Sequence, residues 1–145
     1  MTATPLLAGI ARRIAATSGR RFTPSSQESV GGGCINRALV LAGDGQKYFV
    51  KLNGAARAGM FAAEAEGLKA LAAAEAVRVP EPLCHGVADG HAYLVLEYLA
   101  LGGGDGHAPE KLGRGLAQLH RATASRFGWH RDNTIGSTPQ INTPA

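Results

Sequence analysis

The stretch VGGGCINRALVL (30–41), followed after an Asp44-Gly45 turn by QKYFVKL (46–52) and then by MFAAEAEGLKAL (60–71), decides how this chain folds. Gly31, Gly32 and Gly33 tolerate positive φ and present backbone N–H groups that no side chain screens, which suits close approach to phosphate oxygens. By itself such a run is more often a flexible turn. The segments after the glycines change the balance. Segments 37–42 and 46–52 are strand-like, and Asp-Gly between them is a hairpin signal because both central positions accept positive φ. The two-residue period of a strand then sends Tyr48, Val50 and Leu52 to one face and Lys47, Phe49 and Lys51 to the other.

The next segment supplies a partner for Lys51. Phe61, Glu64, Leu68 and Leu71 recur at helical spacing and form a single stripe, with Glu64 in its apolar middle. A carboxylate there needs a cation, unless it merely lies at the margin of a broad buried face. Glu66 and Lys69 fall off the stripe and are expected to be solvated. Lys51 paired with Glu64 would hold an ammonium at a fixed point beneath the glycine turn. That combination of Gly-rich loop, strand lysine and helix glutamate is the protein-kinase-like way to place a cation on nucleotide phosphates. It is no Walker site, since GxxxxGK[ST] is absent and the loop joins two strands.

Outward from this centre, Thr4-Pro5 reads as N-cap and first helical residue, with Leu6, Leu7, Ile10 and Ile14 at helical spacing up to Ser18-Gly19. A first strand is expected at 27–30, beside the strand that comes after the glycines. Asn53-Gly54 breaks the lysine strand, a long alanine-rich segment over 55–76 carries the Glu64 helix, and the prolines of 79–82 end it. Two short strands, 83–87 and 92–98, meet at Asp89-Gly90. The second ends in a glycine-rich connector, and a helix is expected over 108–121 with Leu112, Leu116 and Leu119 on one side. Residues 127–145 show neither period and read as a loop.

His130-Arg131-Asp132 imitates the His-Arg-Asp of a kinase catalytic loop. That motif needs an Asn five residues after the Asp, where this chain has Ser137, and no acidic residue follows Asp132 to serve as a second metal ligand. Asp132 is therefore not read as a catalytic base.

Length and composition bound the rest. At 145 residues the chain is one domain's worth of sequence, with a net charge of +4 that suits an anionic ligand. The basic residues are scattered without interleaved aromatics, which argues against a nucleic-acid surface. Two cysteines are too few for a disulfide framework, and no apolar run is long enough to span a membrane, so a cytoplasmic protein is expected. Cys34, among glycine N–H groups, is either a thiol whose thiolate is favoured or simply a small residue that fits.

Taken together, SVGGGCI (29–35), FVK (49–51), MFAAE (60–64), VPEPL (79–83), LVLEYL (94–99), LAQLH (116–120) and above all FGWHRDNTIGSTPQ (127–140) resemble the N-terminal part of the fructosamine (ketosamine) kinases, relatives of aminoglycoside phosphotransferases and choline kinases. The resemblance implies an α+β fold: a protein-kinase-like small lobe, with an antiparallel sheet of about five strands and a packed helix, then the start of a helical large lobe. The corresponding units are 1–99 (nucleotide-binding lobe), 100–107 (hinge) and 108–145 (incomplete large lobe). It implies a kinase that uses ATP and Mg²⁺ to phosphorylate a sugar hydroxyl of a ketosamine, on a small molecule or a glycated protein, as a deglycation step. Lys51 would position phosphate and Glu64 would pair with it. Gly31, Gly32, Gly33 and Cys34 would form the phosphate loop, with Phe49 and the main chains of Glu97 and Leu99 on the adenine side. The family's catalytic and metal-binding aspartates would lie beyond Ala145, so these 145 residues alone are expected to be inactive and, with the 108–121 leucines uncovered, to self-associate. A nucleotide-binding module without turnover, or a kinase of the same superfamily acting on an aminoglycoside or other small molecule, are the alternatives.

Overall fold

Helix α1 (Pro5–Ser18) starts where Thr4 caps it, with Thr4 Oγ1 accepting the Leu7 N–H at 3.3 Å, and Pro5 sits where a missing N–H costs nothing. It stops at Gly19, whose φ of 68° no helix continues. The computed structural model describes residues 4–33, 35–103 and 106–143.

Beyond α1 the chain forms five strands: β1 (Ser26–Val30), β2 (Arg37–Gly43), β3 (Gln46–Gly54), β4 (Pro82–Ala88) and β5 (His91–Glu97). They make one antiparallel sheet in the order β1-β2-β3-β5-β4, so β3 is central. Both predicted Asp-Gly turns close as two-residue hairpins, with φ of 46° and 73° at Asp44 and Gly45 and of 47° and 73° at Asp89 and Gly90. β1 lies against β2, Val30 opposite Ala38, as expected.

Alternation along the strands builds two cores. Leu39, Leu41, Val50, Leu52, Tyr93 and Val95 face α1, where they bury Leu7, Ile10 and Ile14. On the other face Leu94 and Leu96, with Phe49 beside them, pack under Phe61 and Ala65 of helix α2 (Ala58–Ala73). The two helices thus cover opposite sides of the same sheet. α2 packs on β4 and β5, which leaves its face of β2 and β3 open beside the glycine run.

The alanine-rich segment 55–76 carries its helix as expected; it opens with a 3-10 turn, Ala55–Arg57, and the helix ends at Ala73, because Ala74 and Glu75 donate to Leu71 and Ala72 and Glu75 adopts φ 50°. Two expectations are corrected. β3 does not break at Asn53-Gly54 but runs through them, paired with Ala92 and His91 of β5. The tail expected to be a loop contains a short hairpin, β6 (Asn133–Ile135) and β7 (Thr138–Gln140), turning at Gly136 with φ 63°. Its strands are too short to carry a readable period. Helix α3 (Ala108–Leu119) docks on the α2–β4 connection through Gly115, where a Cβ would stand 2.8 Å from Ala76 O, and leaves Leu112 and Leu116 exposed.

Two glycines have opposite consequences. A Cβ on Gly43 would lie 2.0 Å from the carbonyl oxygen of Thr23, where the chain from α1 crosses the hairpin, and backbone cannot step aside as a side-chain tip can. Gly67 in α2 meets nothing. Gly43→Ala is expected to destabilise the fold by about 2 kcal/mol or more, and Gly67→Ala to stabilise it by about 1 kcal/mol. Urea unfolding followed by far-UV circular dichroism checks both signs; equal effects would mean that the close approach at Gly43 is not rigid.

Candidate active site

Lys51 stands mid-strand on β3, opposite Ala38 of β2 and Leu94 of β5. Its Nζ donates to both carboxylate oxygens of Glu64, each at 2.7 Å. The two side chains keep 23% and 29% of their exposure, so the ammonium is removed from bulk water but remains reachable from one side. The predicted pairing is thus present, and Glu64 is not a stray carboxylate at the helix margin.

The pair closes one end of a cavity of about 480 Å³, lined also by Gly31, Gly32, Gly33, Phe49, Ala38 and Leu96. Gly32 holds φ 105°, a conformation that a side chain would strain. A second hollow of about 260 Å³ shares Phe49 and Leu96 with the first and adds Pro80, Glu97, Leu99 and Leu101. Eight of the candidate residues, Gly31 to Gly33, Phe49, Lys51, Glu64, Glu97 and Leu99, therefore line two cavities that share Phe49 and Leu96. Cys34 lies outside the described residues. Cys84, the other thiol, is buried, and that burial pushes its pKa up, leaving it a poor nucleophile.

At the apolar end, Glu97 is more committed than its sequence context suggested. Its N–H donates to Glu81 O at 2.8 Å, and its carboxylate takes Arg78 and the Glu81 N–H. From its main chain Glu97 can offer a ligand only its carbonyl oxygen.

Sequence reasoning missed Asn53. Its Nδ2 donates to Asn36 Oδ1 at 2.7 Å and to Ile35 O at 3.2 Å, and its Oδ1 accepts the Gly54 N–H at 2.7 Å. The exit of the glycine run is thereby tied to the strand that carries Lys51. The period that put Phe49 and Lys51 on one face puts Asn53 there too, and that was the signal that could have found it. Ala38 and Leu96 were findable the same way, as cross-strand neighbours of Lys51 and Phe49.

Glu66 was expected to be solvated, yet Arg131 Nη1 lies 2.6 Å from its Oε1 and His130 Nε2 3.0 Å from its Oε2. The hydrogen bond from His130, and after it that from Arg131, holds the Glu66 carboxyl below its usual range. Asp132, the third residue of the catalytic look-alike, faces its own tail: its Oδ1 accepts the Asn142 N–H at 2.8 Å, the Thr143 N–H at 3.3 Å and the Thr143 hydroxyl at 3.0 Å. The Asn142 N–H chiefly lowers its pKa, which makes it a weaker base than an ordinary aspartate.

The family model for fructosamine kinase matches residues 6–145. The chain is similar to a probable ketoamine kinase of Synechocystis, 52% identical over 134 residues that make up 92% of this chain and 45% of that protein. It is 44% identical over 130 residues to a chloroplastic protein-ribulosamine 3-kinase of Arabidopsis thaliana, covering 88% of this chain and 40% of the relative. Among solved structures, a Haemophilus somnus protein assigned as a fructosamine-3-kinase superposes with a TM-score of 0.87 at 27% identity, over 94% of this chain and 46% of that one. The chain spans less than half the length of these relatives. Its α+β arrangement is that of a kinase-like fold.

If Lys51 and Glu64 act as a unit, Lys51→Met and Glu64→Gln should each destabilise the fold while the double variant loses less than their sum, with a coupling of about 1 kcal/mol in a urea-denaturation cycle. Additive losses would mean that the short contacts carry no coupling. The tail gives a pH dependence. Glu66 and Asp132 both titrate below their ordinary values in the folded chain, so their contribution is complete above the ordinary carboxylate range and is lost as pH falls through the lowered values. The fluorescence of Trp129, the one tryptophan of the sequence, should track that loss. Asp132→Asn should shift the transition; an unchanged acid limb in that variant would remove Asp132 from it.

Proposed function

Since the chain belongs to the fructosamine kinase family, we propose that the protein binds ATP in the cavity around Lys51 and transfers its terminal phosphate to a sugar hydroxyl of a ketosamine. The observation that carries this reading is the Lys51–Glu64 pair at the end of a cavity lined by the glycine run.

The residues present fit a nucleoside triphosphate. Two of the three N–H donors on the Lys51 ammonium go to Glu64, which leaves one for a phosphate oxygen. Fixed in place before a ligand arrives, that ammonium needs no reorganisation when charge develops on a transferring phosphoryl group. Gly31 to Gly33 let the main chain approach the phosphates. The apolar hollow between Phe49, Pro80, Leu96 and Leu99 suits the flat face of a base, and Glu97, which also lines it, would accept from the base's amino group through its main-chain carbonyl. ATP supplies the electrophilic phosphorus, and this chain's residues hold it still and balance its charge. Mg²⁺ accompanies ATP in this reading, but among the described residues no group of three or more metal-ligating side chains gathers, so no step is assigned to it.

The choice of acceptor rests on the relatives' names, ketoamine kinase and protein-ribulosamine 3-kinase, which support a ketosamine carried on a small molecule or on a protein. A division into a nucleotide-binding lobe over 1–99, a hinge over 100–107 and the first part of a second lobe over 108–145 belongs to the same reading. So does a cytoplasmic location: no helix among the described residues is long and apolar enough to cross a membrane. The exposed Leu112 and Leu116 of α3 offer a surface for self-association.

Two measurements test this. The 145-residue chain should bind a non-hydrolysable ATP analogue by calorimetry, and Lys51→Met should weaken that binding by about tenfold or more, the worth of a charge-assisted hydrogen bond. A form with the relatives' full length, given ATP, Mg²⁺ and a fructosamine or ribulosamine, should yield the phosphorylated ketosamine by mass spectrometry. Affinity indifferent to Lys51 would remove the phosphate-binding role. Binding without transfer would leave a nucleotide-binding module, and transfer to an aminoglycoside alone would replace the acceptor.

A further inference from the structure

We propose that Arg131, assisted by His130, braces helix α2 from its outer side and so holds Glu64 where it meets Lys51, which makes Arg131 a positioning residue for the site although it touches none of the cavity. That this matters for phosphoryl transfer rests on the kinase reading of Lys51; the brace itself does not.

Helical geometry is the first step. Glu64 and Glu66 are two residues apart, about 200° around α2, so one carboxylate points to the sheet and the other away from it. Each is held by a cation on its own side: Lys51 at 2.7 Å from Glu64, and Arg131 at 2.6 Å with His130 at 3.0 Å from Glu66. Both oxygens of Glu66 are used, one by each partner. α2 is therefore gripped across its width by charge.

The second step concerns what else fastens that outer side. α2 presents Gly67, Ala70 and the part-exposed Leu71 toward the tail, and between them and Trp129 and Asn142 lies a groove of about 670 Å³. Gly67 and Ala70, facing that groove, make few dispersion contacts. On this side Glu66 takes Arg131 and His130, and these contacts add to the hold that Phe61 and Ala65 have on the sheet from the inner side.

The third step is the rigidity of the part that carries Arg131. Trp129 N–H donates to Asn142 O at 2.6 Å, and Asp132 receives Asn142 and Thr143. The β6–β7 hairpin lies between those anchors. Arg131 is thus presented by a closed frame, with hydrogen bonds to residues 142 and 143 on either side of it in sequence. A cation on a floppy tail could move with α2 wherever it went; a cation on a closed frame resists its movement. The His130-Arg131-Asp132 triplet acquires a physical account in this way: Asp132 closes the frame and the two residues before it grip the helix.

The test reads the Lys51–Glu64 pair directly and without nucleotide. Acylation requires a neutral, unshielded amine, so labelling of Lys51 by a lysine-reactive ester, quantified by mass spectrometry against Lys47 on the same strand, reports how well Glu64 holds it. Arg131→Ala is expected to raise Lys51 labelling about threefold relative to Lys47, the scale of a half-exposed charge pair. Arg131→Lys should restore most of the protection, Glu66→Gln should reproduce the Arg131→Ala effect, and the two combined should add nothing further. The ATP-analogue affinity should fall by the same factor in Arg131→Ala. An unchanged Lys51-to-Lys47 ratio in Arg131→Ala and in Glu66→Gln would overturn the brace, as would additive effects in the double variant or a rise in both lysines together, which reports general loosening. Should Arg131→Ala fail to fold, Arg131→Lys and Glu66→Gln still decide the matter through the same ratio. A chain that binds no nucleotide would sink the kinase reading, and the labelling ratio would still judge the brace.

Discussion

A lysine withdrawn from water on the face of a sheet needs an anion within hydrogen-bond reach, and that requirement organises this fold. Lys51 projects from the central strand, and the residues opposite it on the neighbouring strands, Ala38 and Leu94, carry no charge, so its partner has to come from another element. It comes from a helix laid across β4 and β5, close enough for Glu64 to place both oxygens at 2.7 Å. Phe61 and Ala65 set that height by packing on Leu94 and Leu96. Pair and packing are therefore one constraint: shift α2 and both the core and the charge pair are lost.

The same strand carries the opposite requirement. β3 alternates Val50 and Leu52 toward α1 with Phe49, Lys51 and Asn53 toward the other face. Because α2 covers only the β4 and β5 side, the part of that face over β2 and β3 stays open, and the glycine run borders the opening. The cavity is thus the area of sheet that the second helix does not reach. Its polar end is held by α2 and its glycine border by Asn53, so the parts that would contact a ligand are fastened from behind by side chains that need not touch it.

Whatever depends on neighbours a few residues apart was legible in the sequence. Asp-Gly turns, the two faces of β3 and the stripe that exposed Glu64 are local patterns, and the structure has each of them. Contacts between distant segments that no local pattern announces were illegible: Glu66 meets Arg131 across 65 positions, and Glu97 meets Arg78 across 19. Glu66 looked solvated because nothing within a helical turn calls for it. The tail looked structureless because strands of three residues show no period, and because its closure depends on Asp132 reaching Asn142 and Thr143 rather than on any pattern. The end of α2 was hidden for a related reason, since the turn at Glu75 is set by its φ of 50°, a conformation that glutamate seldom adopts.

The catalytic look-alike shows how a motif and a mechanism part company. A general base needs a free lone pair aimed at the acceptor proton and a pKa near working pH. Asp132 is poorly suited on both counts: one of its oxygens is turned to its own tail, where it accepts three hydrogen bonds, and the Asn142 N–H lowers its affinity for a proton. Those same bonds are what a structural clasp requires, since a carboxylate that stays ionised is a better acceptor for backbone N–H groups. The basic residues that precede it obey the same logic, for a cation placed next to a closed turn loses less freedom when it binds a distant carboxylate than one on a loose chain. The properties that disqualify Asp132 from proton transfer are thus the ones that let Arg131 and His130 reach the helix behind Lys51.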